Sequence, residues 1–149
     1  MKEYFFWMDS NIIRYIPQPA QRILAQHYIE KNNGKIVYYS AEELIATPKQ
    51  LGLREKLTRT KEINGFIFFT IKQFGYQEEF DFILMKNMLN KGLELHFARE
   101  EYSILNLKEL EEKFNWLYLY FYSNKSSNLR LFKQKYSILK SIPDTTVSY

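Results

Sequence analysis

The chain of 149 residues contains no cysteine, which excludes disulfides, thiolate metal sites and a cysteine nucleophile together. Histidine is almost as scarce. His27 and His96 stand about 70 residues apart, a spacing and number that do not make a zinc site, so no metal and no cofactor is expected. Of five glycines, Gly52, Gly65, Gly75 and Gly92 are isolated, so neither a phosphate-cradling loop nor a dinucleotide fingerprint exists. No run of about 18 apolar residues is present, and no membrane insertion is expected. Met1-Lys2-Glu3 opens straight into a strand pattern without a secretion-type apolar stretch, which gives a cytoplasmic location as the expectation.

Aromatic residues are abundant: 12 Tyr, 12 Phe and 2 Trp point to a core built largely from rings. The net charge of +4 is unevenly placed. From Phe114 onward there are five bases and one acid, while the first 113 residues carry sixteen of each. A basic tail can meet nucleic acid or anionic lipid, but it is more often a solvated helix face.

The stretch Ile63–Glu100 organises the rest. Phe66–Thr70 (FIFFT) is the apolar run that a strand covered on both faces requires. Glu78, Glu79 and Asp81 place negative charge at the positive end of a helix dipole. That helix carries Phe80, Ile83, Leu84 and Met88 on one stripe and stops at Lys91-Gly92. Leu93–Phe97 follows as a strand. Two strands joined by one crossover helix run parallel, and the crossover is right-handed.

Upstream, Tyr4–Met8 reads as the first strand. Pro17 and Pro19 hold the chain extended and start a helix that runs to about Lys31, with Ala20, Ile23, Leu24 and Tyr28 as its core stripe. Lys35–Tyr39 is the second strand. Thr47-Pro48 opens a helix through Leu51, Leu53 and Leu57. Downstream, Asn106 and Glu109 form a capping box before a helix whose face is Leu107, Leu110, Phe114, Leu117 and Phe121. Ser123–Ser127 is the only linker-like stretch. It divides a single α/β domain, residues 1–124, from a basic C-terminal helix and tail, residues 125–149. In that tail Leu129, Phe132, Tyr136 and Leu139 keep helical spacing.

This alternation predicts an α/β, three-layer fold with a four-stranded parallel sheet in the order 2-1-3-4, of flavodoxin-like type, plus a C-terminal helical extension. In such sheets ligands bind beyond the carboxyl ends of the strands. Loops there bring together Ser10, Arg14 and Gln18, then Ser40 and Glu43, then Lys72 and Gln73, then His96, Arg99 and Glu100. Arg14 suits a carboxylate or phosphate, or else a surface ion pair with Asp9 or Glu43. His96 suits proton transfer, or else a buried histidine satisfied by one hydrogen bond.

Two family resemblances emerge from these residues. Asn64–Gly75 (NGFIFFTIKQFG) and Gly92–Glu100 (GLELHFARE) follow a plan that resembles the catalytic domain of serine recombinases, the resolvases and invertases. The chemistry does not carry over. Met8 and Phe6 stand where that family places its nucleophilic serine and neighbouring arginine. Lys72-Gln73 replaces its Asp-Arg pair, and Tyr76 its last arginine. Recombination is therefore not expected.

The second resemblance is to the sporadic carbohydrate cluster proteins, small proteins encoded among surface-polysaccharide biosynthesis genes. It rests on Arg14–Gln21 (RYIPQPAQ), Tyr39–Glu43 (YSAEE), Ile63-Asn64-Gly65, Thr70–Phe74 (TIKQF) and Leu95–Glu100 (LHFARE). Lys72 and the basic extension depart from it. The resemblance implies a role in making or modifying a cell-surface glycan, with no established reaction.

A sugar or sugar nucleotide is accordingly the expected ligand. Arg14 and Gln18 would hold it, Ser10, Ser40, Glu43 and Gln73 would orient it, and His96 or Glu100 would carry the proton of any reaction. The alternative is a non-catalytic module that binds a glycan-pathway enzyme or a second copy of itself through the Leu129–Leu139 helix. Nucleic acid ranks last among the partners.

Overall fold

Rings alternate along the first strand, β1 (Lys2–Asp9), and this alternation divides them between two cores. Tyr4, Phe6 and Met8 pack on one face of the sheet with Ala25, Tyr28 and Ile29 of helix α1 (Gln18–Lys31). Phe5 and Trp7 pack on the other face. There they join Leu84 and Met88 of α2 (Phe82–Asn90) and Leu110, Phe114 and Leu117 of α3 (Leu107–Tyr122). The computed structural model describes residues 1–9, 16–42, 62–76 and 79–122. The expected helix after Thr47-Pro48 and the expected Leu129–Leu139 helix lie outside these residues.

The sheet has five strands in the order β2-β1-β3-β6-β7. β2 (Gly34–Glu42), β1, β3 (Gly65–Phe68) and β6 (Glu94–Phe97) run parallel. β7 (Tyr102–Ile104) lies antiparallel on the outer edge of β6. The expected four strands in the order 2-1-3-4 are thus corrected to five in a mixed sheet. The added strand is only three residues long, too short to display any period. It reaches its place through a tight turn in which Glu101 adopts φ 50°. Between β3 and α2 the chain also forms a 3-10 turn (Ile71–Phe74) and a two-residue ribbon, β4 (Gly75–Tyr76) with β5 (Glu79–Phe80). The strand expected to reach Thr70 therefore ends at Phe68.

Several helix ends follow local chemistry. Asp81 Oδ1 accepts from Leu84 N at 3.0 Å and caps α2. Asn106 Oδ1 accepts from Glu109 N at 2.9 Å at the start of α3. Gly92, at φ 79°, follows α2 in the left-handed conformation that glycine adopts without strain.

The stripe of α1 differs from expectation. Its buried residues are Gln21, Ala25, Tyr28 and Ile29, while Ile23 is 69% and Leu24 45% exposed. This i, i+4, i+7, i+8 line begins on a polar residue whose amide donates to Ile16 O at 2.9 Å. Hydropathy alone passes over it. In α2 the buried residues are Leu84, Met85, Lys86, Asn87, Met88 and Leu89, whereas Ile83 is exposed and Phe80 belongs to β5.

Candidate functional site

At the carboxyl edge, the chain leaving β3 is held by a reciprocal cap. Gln73 Oε1 accepts from Phe69 N at 2.8 Å and Thr70 N at 3.1 Å, and Thr70 Oγ1 accepts from Lys72 N at 3.3 Å. The Gln73 amide also donates to Trp7 O at 3.0 Å, which ties the turn to β1. Glu100 closes it from the opposite side. Its carboxylate accepts from the Thr70 hydroxyl at 2.6 Å, from Ile71 N at 3.0 Å and from the Tyr120 hydroxyl at 2.7 Å. Burial, followed by the Glu100 hydrogen bond and charge, pushes the Tyr120 phenol up to about 12.

An aromatic stack runs beside this knot. Tyr102 lies on Trp116 at 4.3 Å and Trp116 on Tyr120 at 5.0 Å between ring centres. Lys113 sits over Tyr102 at 4.8 Å and Lys72 over Tyr120 at 5.9 Å. The stack joins β7, α3 and the 3-10 turn.

Gln73 and Glu100 are thus brought together around Thr70, and their polar atoms are spent on the turn, on Trp7 O and on the Tyr120 hydroxyl. Gln18 opens α1 and Ser40 lies in β2, each half-buried. Ser10, Arg14 and Glu43 lie outside the described residues. His96 takes its hydrogen bonds from a different set of partners.

His96 is 3% exposed and faces α1. Its Nδ1 lies 2.8 Å from the Tyr28 hydroxyl and its Nε2 lies 2.9 Å from Glu94 Oε1. Glu94 also accepts from the Tyr4 hydroxyl at 2.7 Å and from Lys2 Nζ at 2.5 Å. Burial acts to raise the Glu94 carboxyl, but hydrogen bonds from His96, Lys2 and Tyr4 outweigh it and hold Glu94 below its ordinary range. Burial pulls His96 below its ordinary value against the opposing influence of Glu94. An ionised carboxylate requires a donor, so Nε2 carries the imidazole proton and Nδ1 accepts from Tyr28.

This cluster opens toward the amino edge of the sheet, where Lys2, Gly34, Gly65 and Glu94 begin their strands. A hollow of about 560 Å³ lies there, bordered by Lys2, Asn33, Asn64, Glu94 and Leu105. Sequence reasoning placed Tyr28 on the core stripe of the first helix, where it is buried, but did not single out Glu94, Tyr4 or Tyr120. The available signal was the i, i+2 spacing of Glu94 and His96, which places both on one face of a strand. Among the described residues no group of three side chains able to hold a metal is present. None of their helices is long and apolar enough to cross a membrane.

No protein-family model and no curated protein matches the chain. A solved structure similar to it is that of a resolvase family site-specific recombinase from Streptococcus pneumoniae. The TM-score is 0.60 at 13% identity, over 95% of this chain and 99% of that one. The chain has a resolvase-like fold. At that identity the likeness concerns the fold alone. None of these comparisons links the chain to the carbohydrate cluster family.

Proposed function

We propose that the protein is a non-catalytic interaction module serving surface-carbohydrate biosynthesis. The observation that carries the non-catalytic part is the occupancy of the two candidate proton carriers. Glu100 accepts three hydrogen bonds that build a turn. Both ring nitrogens of His96 are engaged, by Tyr28 and Glu94, and Tyr4 packs edge-on against the ring. A general acid or base has to reach a substrate proton, and here tyrosines and backbone fill that position. The carbohydrate part is supported by the Arg14–Gln21, Thr70–Phe74 and Leu95–Glu100 resemblance. The Leu129–Leu139 segment is its proposed contact with a pathway enzyme or a second copy.

A second reading keeps a ligand at the carboxyl edge. Lys72 and Arg99 are exposed, Arg99 next to Glu100 in sequence and Lys72 in the turn that Glu100 holds through Thr70 and Ile71, and two cations suit the diphosphate of a sugar nucleotide. Ser10, Arg14, Gln18, Ser40 and Glu43 would complete that site.

The test is genetic and biochemical. Deleting the gene in its host is expected to lower surface polysaccharide, and a Glu100→Gln copy that remains folded is expected to restore it. Unchanged polysaccharide on deletion overturns the carbohydrate assignment. Failure of folded Glu100→Gln to restore it, with turnover of a sugar nucleotide by the wild type, overturns the non-catalytic one.

A further inference from the structure

We infer that Tyr28, His96 and Tyr102 form a proton-operated switch that joins helix α1 to the edge strand β7. When His96 takes up a proton from solvent, the Tyr28 hydroxyl turns away from the imidazole and donates to the Tyr102 carbonyl. This device stands independently of the function proposed above.

The Tyr28 oxygen sits between two partners, 2.8 Å from His96 Nδ1 and 3.3 Å from Tyr102 O. A phenol carries one hydrogen and donates to one of them at a time. With Nε2 donating to Glu94, Nδ1 of the neutral ring can only accept, so the Tyr28 hydrogen points at it. The contact with Tyr102 O is then the idle one, and 3.3 Å is long for a hydroxyl donor. Protonation places a hydrogen on Nδ1 as well, and two hydrogens would face each other along the 2.8 Å line. Rotation about the phenol C–O bond removes that conflict. The Tyr28 oxygen then accepts from Nδ1, and its own hydrogen goes to Tyr102 O. No ring has to change its rotamer.

The surrounding groups determine how readily the cation forms. Glu94 on β6, 2.9 Å from Nε2, becomes its ion-pair partner. Glu109 on α3 also favours the cation, and Lys2 on β1 opposes it. Glu101, in the turn before β7, acts on Tyr28, as does a hydrogen bond with Ser103. Tyr4 packs edge-on against the imidazole at 4.9 Å, and Met1 with its α-amino group borders the same hollow. The carbonyl that receives the hydrogen belongs to Tyr102, whose ring lies on Trp116. A proton bound inside the sheet is thereby felt at the strand that anchors the aromatic stack.

The test is an acid titration of the full chain, followed by NMR of isotope-labelled histidine and of backbone carbonyls, in wild type and Tyr28→Phe. The sign of the change is diagnostic. A hydroxyl that can only donate stabilises the neutral ring, so its loss would raise the His96 midpoint. One that can turn holds the cation through the stronger, charge-assisted bond, so its loss lowers the midpoint. The midpoint is expected to move down in Tyr28→Phe. In the wild type the Tyr102 carbonyl resonance is expected to shift in step with His96, and this alone decides if Tyr28→Phe fails to fold. An unchanged or higher midpoint in folded Tyr28→Phe overturns the switch. So does a Tyr102 carbonyl that stays still while His96 titrates, or a His96 that remains neutral until the fold is lost.

Discussion

The Tyr4 hydroxyl reaches Glu94 Oε1 at 2.7 Å across an intervening strand, and the residue between them is Gly65. Tyr4, Gly65 and Glu94 are laterally paired in β1, β3 and β6, so all three share one face and one row. Strands stand about 4.8 Å apart, which puts β1 and β6 about 10 Å from each other. The glycine that makes room for the Tyr4 ring itself is Gly34, where an added Cβ would meet Tyr4 Cε2 and Cδ2.

A Cβ at position 65 would meet the backbone of Glu94, and backbone cannot swing aside as a side chain can. Gly65→Ala is expected to cost about 1–3 kcal/mol or more of stability. Urea unfolding measures it, and a cost below about 0.5 kcal/mol would show that the row relaxes freely.

Acidification is expected to weaken the fold in two stages. His96 has a folded pKa below its ordinary 6.5, so the unfolded chain binds the extra proton first. Its contribution is complete above 6.5 and is lost as pH falls from there through the folded value. Glu94 is depressed from 4.5, and its contribution is lost in the same direction, beginning near pH 4.5. Lys2, Tyr4, Tyr28 and Glu109 are the other titratable groups acting on this pair. Unfolding free energies at pH 7.5 and 5.5 should differ in the wild type and converge in His96→Gln.

Glu100→Gln removes the charge that helps to hold Tyr120 protonated. Absorbance titration should show one tyrosine moving down from about 12 toward its ordinary 10. The shift is partial, because burial, the larger cause, remains. Loosening of the Thr70–Ile71 turn should lower stability by about 1–3 kcal/mol. An unmoved tyrosine titration would mean that the carboxylate contributes little there.

Asn106→Ala withdraws the acceptor for Glu109 N at the start of α3. A loss of about 0.5–2 kcal/mol is expected, and Asn106→Asp should recover most of it. Thermal unfolding of the two variants side by side makes the comparison.

What could be read in the sequence was local. Asp81, Asn106 with Glu109, and Lys91-Gly92 act on backbone within a few positions of themselves, so their chemistry sits inside a short window. The parallel βαβ unit was legible because its strands are continuous apolar runs. β7, the 3-10 turn and the β4–β5 ribbon are two to four residues long, too short for an apolar pattern to repeat often enough to be read. The α1 stripe was misread because Gln21 is polar and its partner is a carbonyl. Glu94 went unnoticed because Tyr4 and Lys2 lie 90 and 92 positions away. The sequence resemblance pointed to His96 and Glu100, and chain position alone did not reveal that each was already engaged by tyrosines.

The order of pairing along the sheet also has a consequence in time. β6 and β7 are joined by a four-residue turn, whereas Tyr4 must find Gly65 across the whole of α1, β2 and the segment after it. Closing the longer loop costs more chain entropy and comes before its contacts can repay it. On a ribosome the first strand emerges early and waits for its central neighbour to be made. In refolding, pulse-labelled amides of β6 and β7 should gain protection ahead of those of β1.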